Sequence, residues 1–499
     1  MSSSTIAVIS DIHAAVEEGA HDAALTLLER AIRRLNRFIK PDITVVLGDL
    51  VDRPSSGDAL GRLRRIKAVL DQSTSPYLVI PGNCDPPAHQ FYTVFDRPPP
   101  YIDYGRLRLV PFVDCFGRGV PVERPAHDIE RIRAARAGHG GPLVTLQHVA
   151  VKPPGHPVSA SSYANAGEIA LACEEAEVLS IGGHYHRSAG VEREGKSAYL
   201  SVKGMKDAPF TFTVVRIDGA DRIEVVEHQL QIPRSLGLVD VHTHSELAYC
   251  SKGMRMSLTP RLAELFGLAG VALTEHSGQL YFDRDIYWKG DFCEDGIATA
   301  AGRKERIQAF WAAADRERDP ALWVGLEIDA DFRVGLVVRP EDFRRAAIRI
   351  GAVHYLRELC KGKDADPEKV ADEFMHVTAG VVRSGIDVLA HPFRVFRRAA
   401  LSVPERLYEP VARLLAECGV AAEVNFHTND PDPRFFSLCL RYGVKLAFGS
   451  DAHAPWEVGE FAPHLELLHL AGYDGDVRDI LWTPPPDRIA RRSDRDRSQ

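Results

Sequence analysis

The chain has no CxxC pair, no apolar run of membrane-spanning length and no excess of positive charge. Its eight cysteines are scattered through 499 residues. That excludes a disulfide framework and predicts reduced, mostly buried thiols in a cytoplasmic protein. No segment approaches the roughly 20 apolar residues that a bilayer span needs, so no membrane partner is expected. The opening MSSSTIAVIS lacks a basic stretch followed by a long apolar one and reads as a first strand, not a secretory leader. Net charge is −8. This disfavours sequence-blind binding to duplex nucleic acid, which needs many phosphate-neutralising cations. A local basic groove, and with it nucleic acid as a possible partner, stays compatible with the composition.

What is present is ordinary soluble material, 45% hydrophobic and 26% charged, in a length that suits two or three cores. Apolar runs at 5–10, 43–47, 77–80, 143–147 and 178–181 each end at a polar residue of metal-binding type. Residues 21–40 carry Leu25, Leu28, Ile32, Leu35 and Ile39 at helical spacing. Strand, polar loop and helix in alternation form an α/β pattern that puts chemistry at strand C-terminal ends. Runs at 197–202, 210–217 and 222–227 read as antiparallel strands that close this half. Residues 231–237, with Pro233 and Gly237, form the expected boundary. Seven further runs follow, at 238–241, 271–274, 323–326, 352–353, 387–390, 422–424 and 445–448. With helical segments between them they predict a (β/α)7 barrel, whose site gathers at the strand C-terminal ends. The expected domains are 1–232 and 236–483, with 484–499 as a disordered tail.

Two sets of candidate ligands follow the strands. The first is Asp11-Ile12-His13, Gly48-Asp49-Leu50-Val51-Asp52, Gly82-Asn83-Cys84-Asp85, His148 and Gly183-His184-Tyr185-His186. Hard oxygen and borderline nitrogen donors in this mixture suit two divalent cations with room for phosphate and water. Asp49, on a glycine turn, can bridge both metals. Asp11, His13 and His186 can hold one, and Asn83, His148 and His184 the other. Asp49, Asn83 and His148 are the catalytic candidates. The set resembles the calcineurin-like metallophosphoesterase superfamily over roughly residues 1–230, with its motifs in the family's order. The resemblance implies an α/β sandwich and two metals from among Mn, Fe, Ni and Zn. Many members have histidine at position 84, where it protonates the leaving alkoxide. Cys84 resembles instead the Gly-Asn-Cys-Asp phosphodiesterase subgroup. A neutral thiol is a poor general acid, which favours diesters or activated leaving groups over alkyl monoesters; the alternative is that Cys84 only packs.

The second set is His242-Thr243-His244, Glu275-His276, Glu327, His354, His391-Pro392 and Asp451-Ala452-His453. It resembles the polymerase-and-histidinol-phosphatase (PHP) family over roughly residues 236–483. By that resemblance His242, His244, Glu327 and Asp451 bind one metal. Glu327, His354 and His391 bind a second, and His276 and His453 contribute to a third, so that two or three ions of Zn, Mn or Fe are implied. Glu327 and Asp451 are the catalytic candidates. Family members usually supply a His or Asp near position 250, where this chain has Cys250. It is either a thiolate ligand, which favours zinc, or a buried thiol. Glu423 and Asn425 read as inner-barrel polar groups and His427 as a loop histidine. The aromatics of 277–296 form either a lid that stacks on a base or a loop that packs on itself. Arg394 and Arg255 are the candidate phosphate clamps, with Arg397 and Arg398 behind them. Lys203 and Lys206 are their counterparts at the first site.

Two ligand sets of different type imply a metal-dependent phosphoester hydrolase of two domains. The expected sequence is diester opening by the first domain and monoester removal by the second, on a small phosphorylated substrate such as a nucleotide. The alternatives are a nuclease of repair or defence, to which the basic tail at 488–497 would contribute, and a chain in which one domain is a metal-stabilised module without activity.

Overall fold

The computed structural model describes residues 3–15, 22–53, 58–116, 122–159, 162–218, 222–300, 302–317 and 319–485. All but the first two residues of the expected tail 484–499 lie outside them. The chain divides into two compact units, Met1–Gln231 and Ile232–Gln499.

The first unit is built on two sheets. In one, the strands run in the order Arg222–Gln229, Thr211–Asp218, Ser4–Ile9, Ile43–Leu47, Tyr77–Ile80. In the other, the order is Ile102–Tyr104, Leu107–Pro111, Leu143–Val149, Val178–Gly183, Ser197–Ser201, Val191–Glu194. Ile6, Val8, Val45, Leu47 and Ile80 of the first sheet share a core with Leu109, Leu146, Ile181 and Leu200 of the second. Helices Ala126–Arg136 and Ala166–Ala176 cover the other face of the second sheet, through Ile129, Ile132, Ile169 and Ala172. Strands covered on both faces need buried, nearly continuous apolar runs, which is what ITVVL at 43–47 supplies, with Thr44 its one polar side chain. The predicted helix of 21–40 is Ala23–Arg34, capped by the Asp22 carboxylate on Leu25 N (3.1 Å), followed by one wider turn, Leu35–Ile39.

One expectation is corrected. Ser197–Ser201 does not join the antiparallel closure. It lies in the second sheet, antiparallel to Val191–Glu194 on one side as expected but parallel to Val178–Gly183 on the other, while Thr211–Asp218 and Arg222–Gln229 close the first sheet antiparallel. The burial explains it. Every residue of Ser197–Ser201 is buried, as an inner strand requires, whereas Arg222–Gln229 is half-open, as an edge strand is.

The second unit is mixed α/β, with seven parallel strands in sequence order: Val239–Thr243, Gly270–His276, Leu322–Asp329, Arg349–Ala352, Val388–Leu389, Ala421–Val424 and Leu446–Phe448. A parallel bridge between Thr243 and Ala452 brings the last strand back to the first, so the sheet is a nearly closed barrel. This is the predicted (β/α)7 architecture. Val241, Ala272, Ile350, Val388, Ala421 and Ala447 form its apolar core. The aromatic segment after Gly270–His276 packs on itself. Tyr281, Phe282, Tyr287 and Phe292 are buried, Tyr287 stacks on Phe292 at 5.5 Å, and of the five only Trp288 is exposed. A lid that offers these rings to a base is therefore not what the segment forms.

Ile350→Ala should destabilise the barrel by about 2–5 kcal/mol, because a fully buried side chain leaves a cavity. Leu470→Ala, at an exposed position, should change stability by less than about 0.5 kcal/mol. Urea-unfolding midpoints of the two variants measure the contrast.

Candidate functional site

In the first unit the ligand set converges at the C-terminal ends of the parallel strands. Asp11, His13, Asp49, His184 and His186 all have positive φ, between 46° and 69°. Non-glycine residues rarely adopt this conformation, and its cost of about 1–3 kcal/mol each is held by the surrounding structure. The turn that presents Asp49 also needs Gly48 (φ 88°), where an added Cβ would lie 2.5 Å from Gly82 N. Asp85 ties the two loops together, accepting from Leu50 N, Val51 N and Gly82 N at 2.8–3.1 Å. His148 sits where the strand pairing slips between Gln147 and Val149, and this irregularity turns its ring to the site.

The ring nitrogens carry the chemical argument. His148 Nδ1 donates to Leu47 O (2.7 Å), since a carbonyl can only accept, so in the neutral ring Nε2 is the lone pair. That lone pair faces other acceptors: Asn83 Oδ1 at 3.0 Å and Asp49 Oδ2 at 3.5 Å, with His184 Nδ1 at 3.3 Å. His186 Nδ1 donates to Asp207 Oδ2 (3.0 Å), which turns its Nε2 lone pair on Asp11 Oδ1 at 3.2 Å. His13 Nε2 lies 3.3 Å from His186 Nε2 and 3.6 Å from Asp49 Oδ2. Asp11 Oδ1 is buried without a hydrogen-bond donor. With neutral rings these acceptors repel unless positive charge stands among them, either a bound cation or an added ring proton; burial opposes that proton on His148, but the Asp49 carboxylate raises its pKa to about 9. Asp11, His13 and His186 form one group with ligand atoms within 4.8 Å, and Asp49, His148 and His184 form another. The donor set therefore fits divalent cations, with Asp49 placed among the ligand groups.

The barrel repeats this logic with deeper burial. His242 Nδ1 donates to Glu423 Oε1 (2.8 Å), His244 Nδ1 to Glu275 Oε1 (3.1 Å), His354 Nδ1 to Asp329 Oδ1 (2.6 Å) and His453 Nδ1 to Asp451 O (2.7 Å). Their Nε2 lone pairs then meet carboxylates. His244 lies 2.8 Å from Asp451 Oδ1, His242 lies 3.6 Å from Glu327 Oε2, and His354 and His391 lie 3.2 and 2.9 Å from Glu327 Oε1. His276 Nδ1 contacts Glu327 Oε2, and its Nε2 lies 3.4 Å from His453 Nε2. His242 Nε2 and Glu327 Oε2 are buried with no donor. Glu327 thus stands at the centre, with His242, His276, His354 and His391 around it. His391 and Asp451 also have positive φ.

The carboxylates behind the imidazoles were missed or underread in the sequence. Asp207, Asp240 and Asp329 carry no expectation, and Glu275 only accompanies His276. Strand alternation contains the signal. Residues two apart share a face, so Asp240 belongs with His242, Asp329 with Glu327, and Glu423 with Asn425. Asp240 accepts from Ser450 N (3.0 Å) and Gly459 N (2.8 Å), joining the first and last strand ends. His427 is more than a loop histidine: its ring stacks on His453 at 4.6 Å, and its Nδ1 donates to Glu457 (3.2 Å).

Both cysteines reach their sites. Burial, then the Asp49 carboxylate, push the Cys84 thiol up to about 12; Asn83 Nδ2 donates to its sulfur at 3.3 Å. Burial pushes Cys250 up to about 12, and its sulfur lies 3.6 Å from His276 Nε2. The clamps divide. Arg394 is buried against the barrel cluster, whereas Arg255 is exposed and makes no side-chain contact with the cluster among the described residues. Arg397 pairs with Asp430, and Lys203 with Glu227.

Residues 4–188 match the family model of the calcineurin-like phosphoesterases. A search of curated proteins gives no match. Among solved structures, the purple acid phosphatase PPD1 from yellow lupin (Lupinus luteus) seeds is similar at 15% identity and TM-score 0.36, over 46% of this chain and 52% of that one. The chain therefore spans about half the length of that phosphatase. A protein described as a histidinol phosphatase, hisK, from Listeria monocytogenes is similar at 12% identity and TM-score 0.33, over 45% of this chain and 99% of that one. Likeness at these scores carries no argument about this chain's activity.

Groups that orient a metal-bound imidazole typically change metal affinity 10–100-fold. Asp207→Asn should weaken metal binding in the first unit by about that factor, and Glu423→Gln should do so in the barrel. Competition titration against a chromophoric chelator reads both. Unchanged affinity would show that these carboxylates do not hold ligands.

Proposed function

We propose that this metal-dependent phosphoester hydrolase, whose first domain is calcineurin-like, is bifunctional: residues 1–232 open a phosphodiester and residues 236–483, a PHP-type barrel, remove the phosphomonoester that results. Small nucleotides and related phosphates are the substrate class, and the scattered free thiols suit a cytoplasmic location. The observation that carries the reading is the duplication of one device. Two separate clusters each aim imidazole nitrogens at carboxylates, in a geometry that added positive charge relieves.

Divalent cations, when bound, draw charge from phosphate oxygens and acidify water. Mn, Fe, Ni or Zn suit the two positions of the first cluster, and Zn, Mn or Fe suit the second. The chain's own residues do the rest. Asp49 stands between the two ligand groups of the first site, with the buried His148 and the exposed Asn83 as neighbouring ligand groups. In the barrel, Glu327 and Asp451 collect the histidines into one centre.

The two sites differ in how a leaving group can be protonated. Without metal, burial and the Asp49 charge push the Cys84 thiol up, and a neutral thiol is a poorer general acid than an imidazolium. A poor alkoxide leaving group therefore receives little help in the first site. We read this as favouring diesters or activated leaving groups over alkyl monoesters in the first site, with the monoester left to the barrel.

Asp49→Asn should lower diester cleavage by more than about 100-fold, beyond the effect of groups that only support a ligand. Asp451→Asn should leave diester cleavage intact and accumulate monoester, followed by chromatography of products. Full turnover to free phosphate by either variant would refute the two-step order. In the Asp451→Asn background, equal rates on alkyl monoesters and diesters would remove the role given to Cys84.

A further inference from the structure

We propose that Arg394 is a built-in cation of the barrel cluster: its guanidinium bridges Asp451 and His354 in a place that a metal would otherwise take, and the cluster holds one ion fewer than its donors allow. The inference rests on the reading of the barrel cluster as a metal site and decides how many ions that site takes.

Arg394 is turned inward by its backbone. It follows His391 (φ 26°) and Phe393 (φ 69°), and its N–H donates to His391 O at 3.0 Å. Its neighbours Arg397 and Arg398, on the same short helix Arg394–Arg398, are exposed, whereas Arg394 is 5% exposed. One terminal nitrogen donates to Asp451 Oδ2, and the other to His354 Nε2 at 2.9 Å. Because Asp329 holds the proton of His354 on Nδ1, Nε2 is a lone pair and the guanidinium is a proper donor to it.

The donors of the cluster therefore fall into two kinds. His354 Nε2 and Asp451 Oδ2 are supplied with N–H groups by Arg394. His242 Nε2 and Glu327 Oε2 have no donor. In the neutral ring, with its proton on Nδ1 toward Glu275, His244 Nε2 faces Asp451 Oδ1 at 2.8 Å as acceptor against acceptor. Cations are needed where acceptors face one another, and a fixed positive charge already occupies the remaining position. An ion held by Glu327, His354 and His391 would have to take His354 from the guanidinium and sit beside a charge that cannot be discharged. The same engagement explains why Arg394 is not free as a two-pronged phosphate clamp: both terminal nitrogens are committed, and its Nε is buried without a partner.

Metal content decides the matter without reference to turnover. The full chain, Arg394→Met, Arg394→Lys and Asp451→Asn are loaded with Mn or Zn, desalted and analysed for metal per chain, and Co absorption titrations give affinities. Arg394→Met should gain one ion, or bind its weakest ion about tenfold more tightly, the scale at which surrounding groups change metal affinity. Arg394→Lys should keep the wild-type count. An unchanged count and affinity in Arg394→Met, or a loss of metal, overturns the inference while the metal reading of the barrel stands. If Asp451→Asn leaves wild-type metal content unchanged, the metal reading itself fails, and the inference with it. Arg394→Gln replaces Arg394→Met if the latter does not fold, with the same expectation.

Discussion

An imidazole can offer a lone pair in one direction only if its proton is held in the other. In both units the proton is held from behind, by Leu47 O and Asp207 in the first and by Glu423, Glu275, Asp329 and Asp451 O in the second. The lone pairs are then forced forward onto Asp11, Asp49, Glu327 and Asp451. Such a set is unfavourable by itself, since buried acceptors without donors cost free energy. It is built to be completed by positive charge.

The rest of the structure serves that confrontation. Parallel strands end together, so their following loops bring residues far apart in sequence within reach of one another. Glycine at 48 and left-handed backbone at Asp11, His13, Asp49, His184 and His186 turn side chains inward that a regular exit from a strand would direct elsewhere. In the barrel the strands are short, and Asp240 joins the first strand to the last by accepting from Ser450 and Gly459. Positive charge in the barrel has two sources of different character. Cations that exchange can fill the positions with no donor, whereas Arg394 supplies a charge that stays.

The ligand types were legible because they recur directly after apolar runs, and one strand after another ending on Asp or His points to a shared site at the strand ends. The barrel's seven strands were legible for the same reason. The partners behind the imidazoles were less so. Asp207 lies 21 residues from the ring it orients, in no motif. Ser197–Ser201 was misplaced because an apolar run indicates burial and carries no information about the neighbour it pairs with. The aromatic segment at 277–296 could be a lid or a self-packed loop, and only the stacking of Tyr287 on Phe292 separates them.

By itself the sequence determined the two domains' fold class, the identity of the candidate ligands and the exchange of histidine for cysteine at position 84, because these depend on residue type and local spacing. Tertiary structure alone decided which atom of each histidine faces inward, that Arg394 enters the cluster while Arg255 does not, and that Cys84 lies half-buried beside Asp49. Those depend on burial and on partners distant in the chain, and neither is written in any short stretch of it.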